Sequence, residues 1–309
     1  MLIPGGLFML DFRIETFLEV CRTMNFTKAA KRLHITQPAV SQHIRALERQ
    51  YKTKLFAYAG KQLCLTEVGR MVLQTATTMH HDARRLQDAV AQLASSRRIC
   101  FGATLTIGEY IMPGPLLRLL EREPDTRLCM MVANTSELLQ LLDQGEIDFA
   151  IVEGFFQKQA YESLIYRTEK YLAVCAPGYA HCNTVQKLED LLEQRLFVRE
   201  PGSGTREVLQ RALEERNLTV EDFRLLTELG SLNTIKSMVC AGVGISFFYQ
   251  PVVQAELDAG RLVEIPLKDF SVTHDFTFLW RKGSVFAPYY RHVFDLMQQA
   301  SSAPLQKKT

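Results

Sequence analysis

No apolar run in the 309 residues approaches the roughly 20 needed to span a bilayer. The opening stretch 1–8 is apolar but lacks the cationic lead of a secretory signal, so a cytoplasmic location is expected. Seven cysteines, at 21, 64, 100, 129, 175, 182 and 240, form an odd set without a CxxC pair. That pattern argues against a disulfide framework or a zinc ribbon, and free thiols in a reducing compartment are expected. Only the adjacent His80 and His81 come near metal-ligand spacing, and both are expected on a helix surface or seam, so no metal and no cofactor is assigned. Nucleotide and hydrolase signatures are missing too. The run Pro201-Gly202-Ser203-Gly204-Thr205 is not followed by Gly-Lys-Ser/Thr, Gly242-Val243-Gly244 lacks a third glycine, and no Gly-x-Ser-x-Gly occurs. His34, His43, His181, His274 and His292 have no evident nucleophile beside them, so no enzyme activity is expected. The net charge of +2 is too small to imply polyanion binding by the whole molecule.

What is present is concentrated in residues 26–50. Phe26, Ala29, Ala30 and Leu33 recur at helical spacing and leave Lys28, Lys31 and Arg32 on the wet side. Thr36 is placed to cap a second helix whose first turn tolerates Pro38. Its buried stripe is Val40, Ile44 and Leu47, while Gln37, Ser41, Gln42 and Arg45 face outward near its start. Amides, hydroxyls and cations at the N-terminal end of a second helix suit base edges and phosphates, so this pair reads as a helix-turn-helix. Between Arg22 and Lys61 stand Arg22, Lys28, Lys31, Arg32, Arg45, Arg49, Lys52, Lys54 and Lys61, against Glu48 alone. That imbalance predicts a local phosphate-binding field on a balanced molecule. A helix over 11–23 supports the pair, and residues 55–66 read as a hairpin wing with Gly60-Lys61 at its tip.

These residues resemble the LysR-type transcriptional regulators. The match is carried by 17–19, 25–48, Leu55-Phe56, Leu65-Thr66-Glu67 and Gly69, continues more weakly to about residue 300, and is nearest in texture to members controlling sulfur assimilation or carbon fixation. The resemblance implies an all-α N-terminal winged helix-turn-helix with a long linker helix, followed by a two-lobed α/β domain like periplasmic binding proteins. It places Thr27, Lys28, Thr36, Gln37, Pro38, Ser41, Gln42, Arg45, Lys54 and Lys61 at DNA. Two positions depart from the pattern: Gln42 stands where the family often has Arg, and Ala57-Tyr58 where it has Glu-Arg, with Lys54 and Lys61 as substitutes for the lost backbone contact.

The domains expected are a disordered extension 1–8, with Met9 as the start; the DNA-binding domain 9–68; a dimerising linker helix 69–98; an effector domain 99–300; and a disordered tail 301–309. The linker seam is Val72, Ala76, Met79, Ala83, Leu86, Val90 and Leu93, alternating by four and three residues. From residue 99 strand-like runs (99–103, 128–133, 149–152, 171–176, 196–199, 245–249, 276–280) alternate with helical ones (110–122, 136–144, 205–215, 231–241), which reads as α/β with mostly parallel sheets. The resemblance divides it into lobe I (99–168 and 268–300) and lobe II (169–267).

Ligands of open α/β sheets gather where strand ends meet helix starts. Those loops carry Thr104, Leu105 and Thr106, then Asn134 and Thr135, then Ser203, Gly204 and Thr205, the expected effector ligands, and their hydroxyls and helix-start amides suit a small anion or carboxylate. Glu153, near the cleft mouth, would oppose an anion unless paired with a cation such as Arg199 or Arg206. The function so expected is a sequence-specific regulator of transcription, with promoter DNA, a small effector, further copies of itself and RNA polymerase as partners. The rival readings are a small-molecule binding protein, or an α/β enzyme, with a vestigial DNA-binding module.

Overall fold

A computed structural model describes residues 10–91, 98–179 and 187–301. The expected extension 1–8, the seam residue Leu93 and the tail beyond 301 lie outside the described residues. The chain divides into two compact bodies. One comprises Met1–Ser95 with Asp143–Glu146 and Arg281–Phe286; the other comprises Ser96–Leu142, Ile147–Trp280 and Ala287–Thr309.

The first body opens with α1 (Phe12–Thr23), α2 (Phe26–Arg32) and α3 (Gln37–Tyr51). Each start is capped by a side chain, Asp11, Asn25 and Thr36 in turn, which satisfies a first-turn amide that the helix itself cannot. Phe17, Val20, Ala29, Val40, Ile44, Leu47 and Leu55 form the core of the three helices. The domain is not wholly helical: β1 (Phe56–Ala59) and β2 (Gln62–Leu65) pair antiparallel, with Gly60 at φ 62° making the two-residue turn. The Thr-Glu-x-Gly stretch has a physical reason. Thr66 accepts the Gly69 N–H at 2.9 Å to start the next helix, and a Cβ on Gly69 would lie 2.1 Å from the Leu55 carbonyl.

That helix, α4 (Glu67–Ala91), divides the expected seam. Ala76 and Ala83 are buried within this chain, while Met79, Leu86 and Val90 are exposed, as are Val68 and Met71. The buried side is bonded to other segments of the same body. Arg281 reaches Asp143 at 2.8 Å and the Gln74 carbonyl at 3.0 Å, and Asp82 accepts from Ser284 Oγ at 2.6 Å. His81, expected at a surface or seam, is buried and bonded to Asp82.

The second body is built on one nine-stranded sheet. Its strands and helices run β3 (Arg98–Ala103), α5 (Pro113–Arg122), β4 (Arg127–Val132), α6 (Thr135–Asp143), β5 (Phe149–Val152), β6 (Tyr161–Cys175), β7 (Arg195–Val198), α7 (Gly204–Glu214), β8 (Leu225–Glu228), α8 (Leu232–Cys240), β9 (Ile245–Tyr249), α9 (Gln250–Asp258), β10 (Val263–Glu264), β11 (Val272–Arg281) and α10 (Ala287–Ser301). The order is β4-β3-β5-β11-β6-β9-β7-β8, with β10 beside β6. Pairing is parallel inside each lobe, β4-β3-β5 in one and β8-β7-β9 in the other. It turns antiparallel where β11 meets β5 and β6 meets β9, so the sheet is mixed, parallel within the lobes and antiparallel at the strands that join them. The long strands β6 and β11 are the two crossings, so one sheet serves both lobes. Residues 107–111 form a π-helical turn before α5, and Ser301, expected in the tail, ends α10.

Among the described cysteines, five are free thiols and Cys175 is disulfide-bonded, which corrects the expectation that all are free. Among the described residues no three His, Cys, Asp or Glu side chains gather to hold a metal, and no helix is long and apolar enough to cross a membrane.

Candidate functional site

Two regions collect the expected residues. In the first, α3 buries Val40, Ile44 and Leu47 and turns Gln37, Pro38, Gln42 and Arg45 outward. Thr36 and Ala39 are joined by the cap bond at 3.3 Å, and Gln37 donates to Ser41 Oγ at 2.9 Å, so these two side chains are pre-set along one edge. Thr27 and Lys28 are exposed at the start of α2, and Lys61 is exposed at the wing tip. The chain between α2 and α3 turns through His34, whose φ of 56° is left-handed. No glycine marks that bend in the sequence.

The basic field is smaller than the sequence count implies. Buried Glu19, outside the counted window, binds Arg32 at 3.0 Å and Arg22 at 3.5 Å. Lys54 is 2.7 Å from Glu48, whose other oxygen accepts the Leu55 N–H at 3.1 Å, so Lys54 helps join α3 to the wing. Lys28, Lys31, Arg45, Arg49, Lys52 and Lys61 are exposed and make no ion pair among the described residues.

The second region is a cavity of about 200 Å³ in the α/β body. Of the eight expected effector ligands, Thr104, Leu105, Asn134, Ser203 and Gly204 line it. The other three lie beside it. Thr205 donates to Glu153 Oε1 at 3.0 Å, Thr106 sits 3.4 Å from the Thr205 hydroxyl, and Thr135 is packed over Gly154. Asn134 also caps α6, accepting the Glu137 N–H at 2.9 Å.

Glu153, Glu137, Glu200 and Arg199 line the same cavity. The expected pairing of Glu153 with Arg199 or Arg206 is not made. Arg199 gives Nε and Nη2 to Glu200, each at 2.7 Å, and Arg206 holds Glu228. Glu153 instead lies at the N-terminus of α7, so close that a Cβ on Gly204 would be 2.6 Å from its Cγ. Burial pushes its carboxyl up to about 7, against the opposing pull of the Thr106 and Thr205 hydroxyls and the Arg199 charge. Glu137 and Glu200 were not singled out from the sequence; both flank the expected loops, and acidic neighbours of a hydroxyl-rich loop are the signal that finds them.

Comparison with known proteins follows the same division. Residues 13–70 match the family described as "Bacterial regulatory helix-turn-helix protein, lysR family", and residues 93–302 match "LysR substrate binding domain". The chain is 30% identical over 263 residues to an HTH-type transcriptional regulator of Methanocaldococcus jannaschii, covering 84% of this chain and 88% of that relative. It is 27% identical over 281 residues to the RuBisCO operon transcriptional regulator of Allochromatium vinosum, covering 89% and 91%. ArgP from Mycobacterium tuberculosis shares the fold with a TM-score of 0.62 at 18% identity, covering 95% of this chain and 97% of that one.

Proposed function

The chain belongs to the LysR family of transcriptional regulators, and from that premise we propose that α3 reads promoter DNA while the cavity between the lobes receives the effector. In this reading Gln37, Ser41, Gln42 and Arg45 approach base edges. Thr27, Lys28, Thr36 and Lys61 position the phosphates, and Pro38, which has no N–H to leave unpaired in the first turn, lies beside them. Lys54 contributes by fixing the wing. The exposed stripe Val68, Met71, Met79, Leu86 and Val90 on α4 is the dimer seam, so two readers address a two-fold operator in the cytoplasm. A dimer or a dimer of dimers then presents the promoter to RNA polymerase.

The observation that carries the effector reading is the Thr104 hydroxyl: it is buried, lines the cavity and has no hydrogen-bond partner among the described residues. A ligand that binds one lobe arrangement better than another shifts the population of DNA-bound forms, which is all that regulation requires. The test is Thr104→Val, measured by promoter-DNA anisotropy with and without effector. Loss of the effector response at unchanged DNA affinity is expected; loss of DNA affinity would overturn the assignment.

A further inference from the structure

We propose that the cleft takes a small zwitterion of amino-acid size, its carboxylate received by Arg199 and Thr104 and its ammonium by Glu153. This rests on the reading of the cleft as the effector site and names the class of molecule that site selects.

Three side chains that line the cavity each hold a buried polar atom with no partner among the described residues: Thr104 Oγ1, Arg199 Nη1 and Glu153 Oε2. Buried polar atoms in native proteins are nearly always bonded, so the three together define what the occupant must bring. Arg199 Nη1 can only donate, and Glu153 accepts once a cation beside it holds it ionised, as an ammonium group would. The occupant must therefore carry an acceptor at one place and a donor at another. The volume of about 200 Å³, against ~30 Å³ for one water in the liquid, suits a molecule of several heavy atoms and not a single small ion.

Charge excludes the simpler classes. The cavity is lined by Glu137, Glu153 and Glu200, and the one cation lining it among the described residues, Arg199, is already held on two nitrogens by Glu200. The N-terminus of α7, the place a free anion would favour, is taken by the chain's own Glu153. Sulfate, phosphate or a dicarboxylate would meet the Glu137 and Glu200 carboxylates and would be offered no cation at Glu153, against the anion expected from the hydroxyl-rich loops alone. A plain diamine would satisfy Glu153 and leave the Arg199 donor unmatched. A zwitterion satisfies both ends.

The experiment uses the full chain. Thermal shift and calorimetry are run with the proteinogenic L-amino acids as separate probes, beside sulfate, phosphate, succinate and putrescine. Stabilisation by at least one amino acid is expected, with its methyl ester and its N-acetyl derivative each binding at least about tenfold more weakly. Glu153→Gln should weaken the parent amino acid by roughly ten- to a hundredfold, and Thr104→Val, a near-isosteric change, repeats the test should the first variant fold poorly. No stabilisation by any amino acid would overturn the proposal. Stabilisation by succinate or sulfate that Thr104→Val abolishes would also overturn it while leaving the cleft as the effector site. Amino-acid binding indifferent to both variants would remove the cleft assignment as well.

Discussion

Glu153 is a carboxyl group buried beside a helix start at the edge of the cavity, and its titration follows from that burial. Burial raises its carboxyl from the ordinary value of 4.5 to about 7. A group raised in the folded state contributes stability that is complete below the unfolded value and is lost as pH rises through the folded one. The α/β body should therefore lose stability between about pH 4.5 and 7, by an amount on the order of 3 kcal/mol for this residue. Glu153→Gln removes that slope: denaturant melts of the variant should be flatter across the window and gain on the parent above it. Parallel pH profiles for the two proteins would contradict the placement of this carboxylate. On the DNA side, Gln42 is exposed on the outer face of α3. Gln42→Ala should relax sequence preference at one operator position by about 1 to 3 kcal/mol, read by competition among single-base operator variants. The residue chemistry was legible in part. Short polar side chains at loop positions 104, 134 and 203, two hydroxyls and an amide, mark the cleft by type and spacing. The ion pairs do not, because which of Glu19, Glu48, Glu200 and Glu228 meets which cation is decided by tertiary packing across up to 22 residues of chain.

At the scale of elements, periodicity made the helices of the DNA-binding domain readable: the stripe Val40, Ile44, Leu47 is buried as its spacing requires. The short strand β8 was not anticipated, since its side chains are mostly exposed and it alternates weakly. Only the last third of the long crossing strand β6 is legible in the sequence, because residues 161–170 mix buried and exposed positions without an apolar run. Helix α4 shows how one pattern can serve two partners. A four-three repeat is satisfied by either side of a helix that is apolar on both, and here Ala76 and Ala83 pack within the chain while Met79 is left 51% exposed. In the proposed function the exposed side supplies the seam between copies. Met79→Glu should convert the assembly to monomers in sedimentation and weaken binding to a two-half-site operator about a hundredfold or more, with single-half-site binding unchanged. A variant that sediments like the parent would place the seam elsewhere.

The whole molecule carries a helix-turn-helix domain and an α/β effector-binding domain in one chain. Coupling between them is a difference in effector affinity between DNA-bound arrangements, and it is reciprocal: DNA of the right sequence must alter effector affinity by the same factor. The small net charge of +2 means that phosphate attraction comes from a few exposed cations around α2, α3 and the wing and not from the molecule at large. The central claim is that this chain recognises a specific promoter sequence. Its most direct test is anisotropy of the full chain on labelled DNA from upstream of its own gene, titrated with salt and with a scrambled competitor. The account predicts binding that survives the competitor and weakens steeply with salt, with a slope set by a handful of phosphate contacts. Equal affinity for both DNAs at every salt concentration would contradict it.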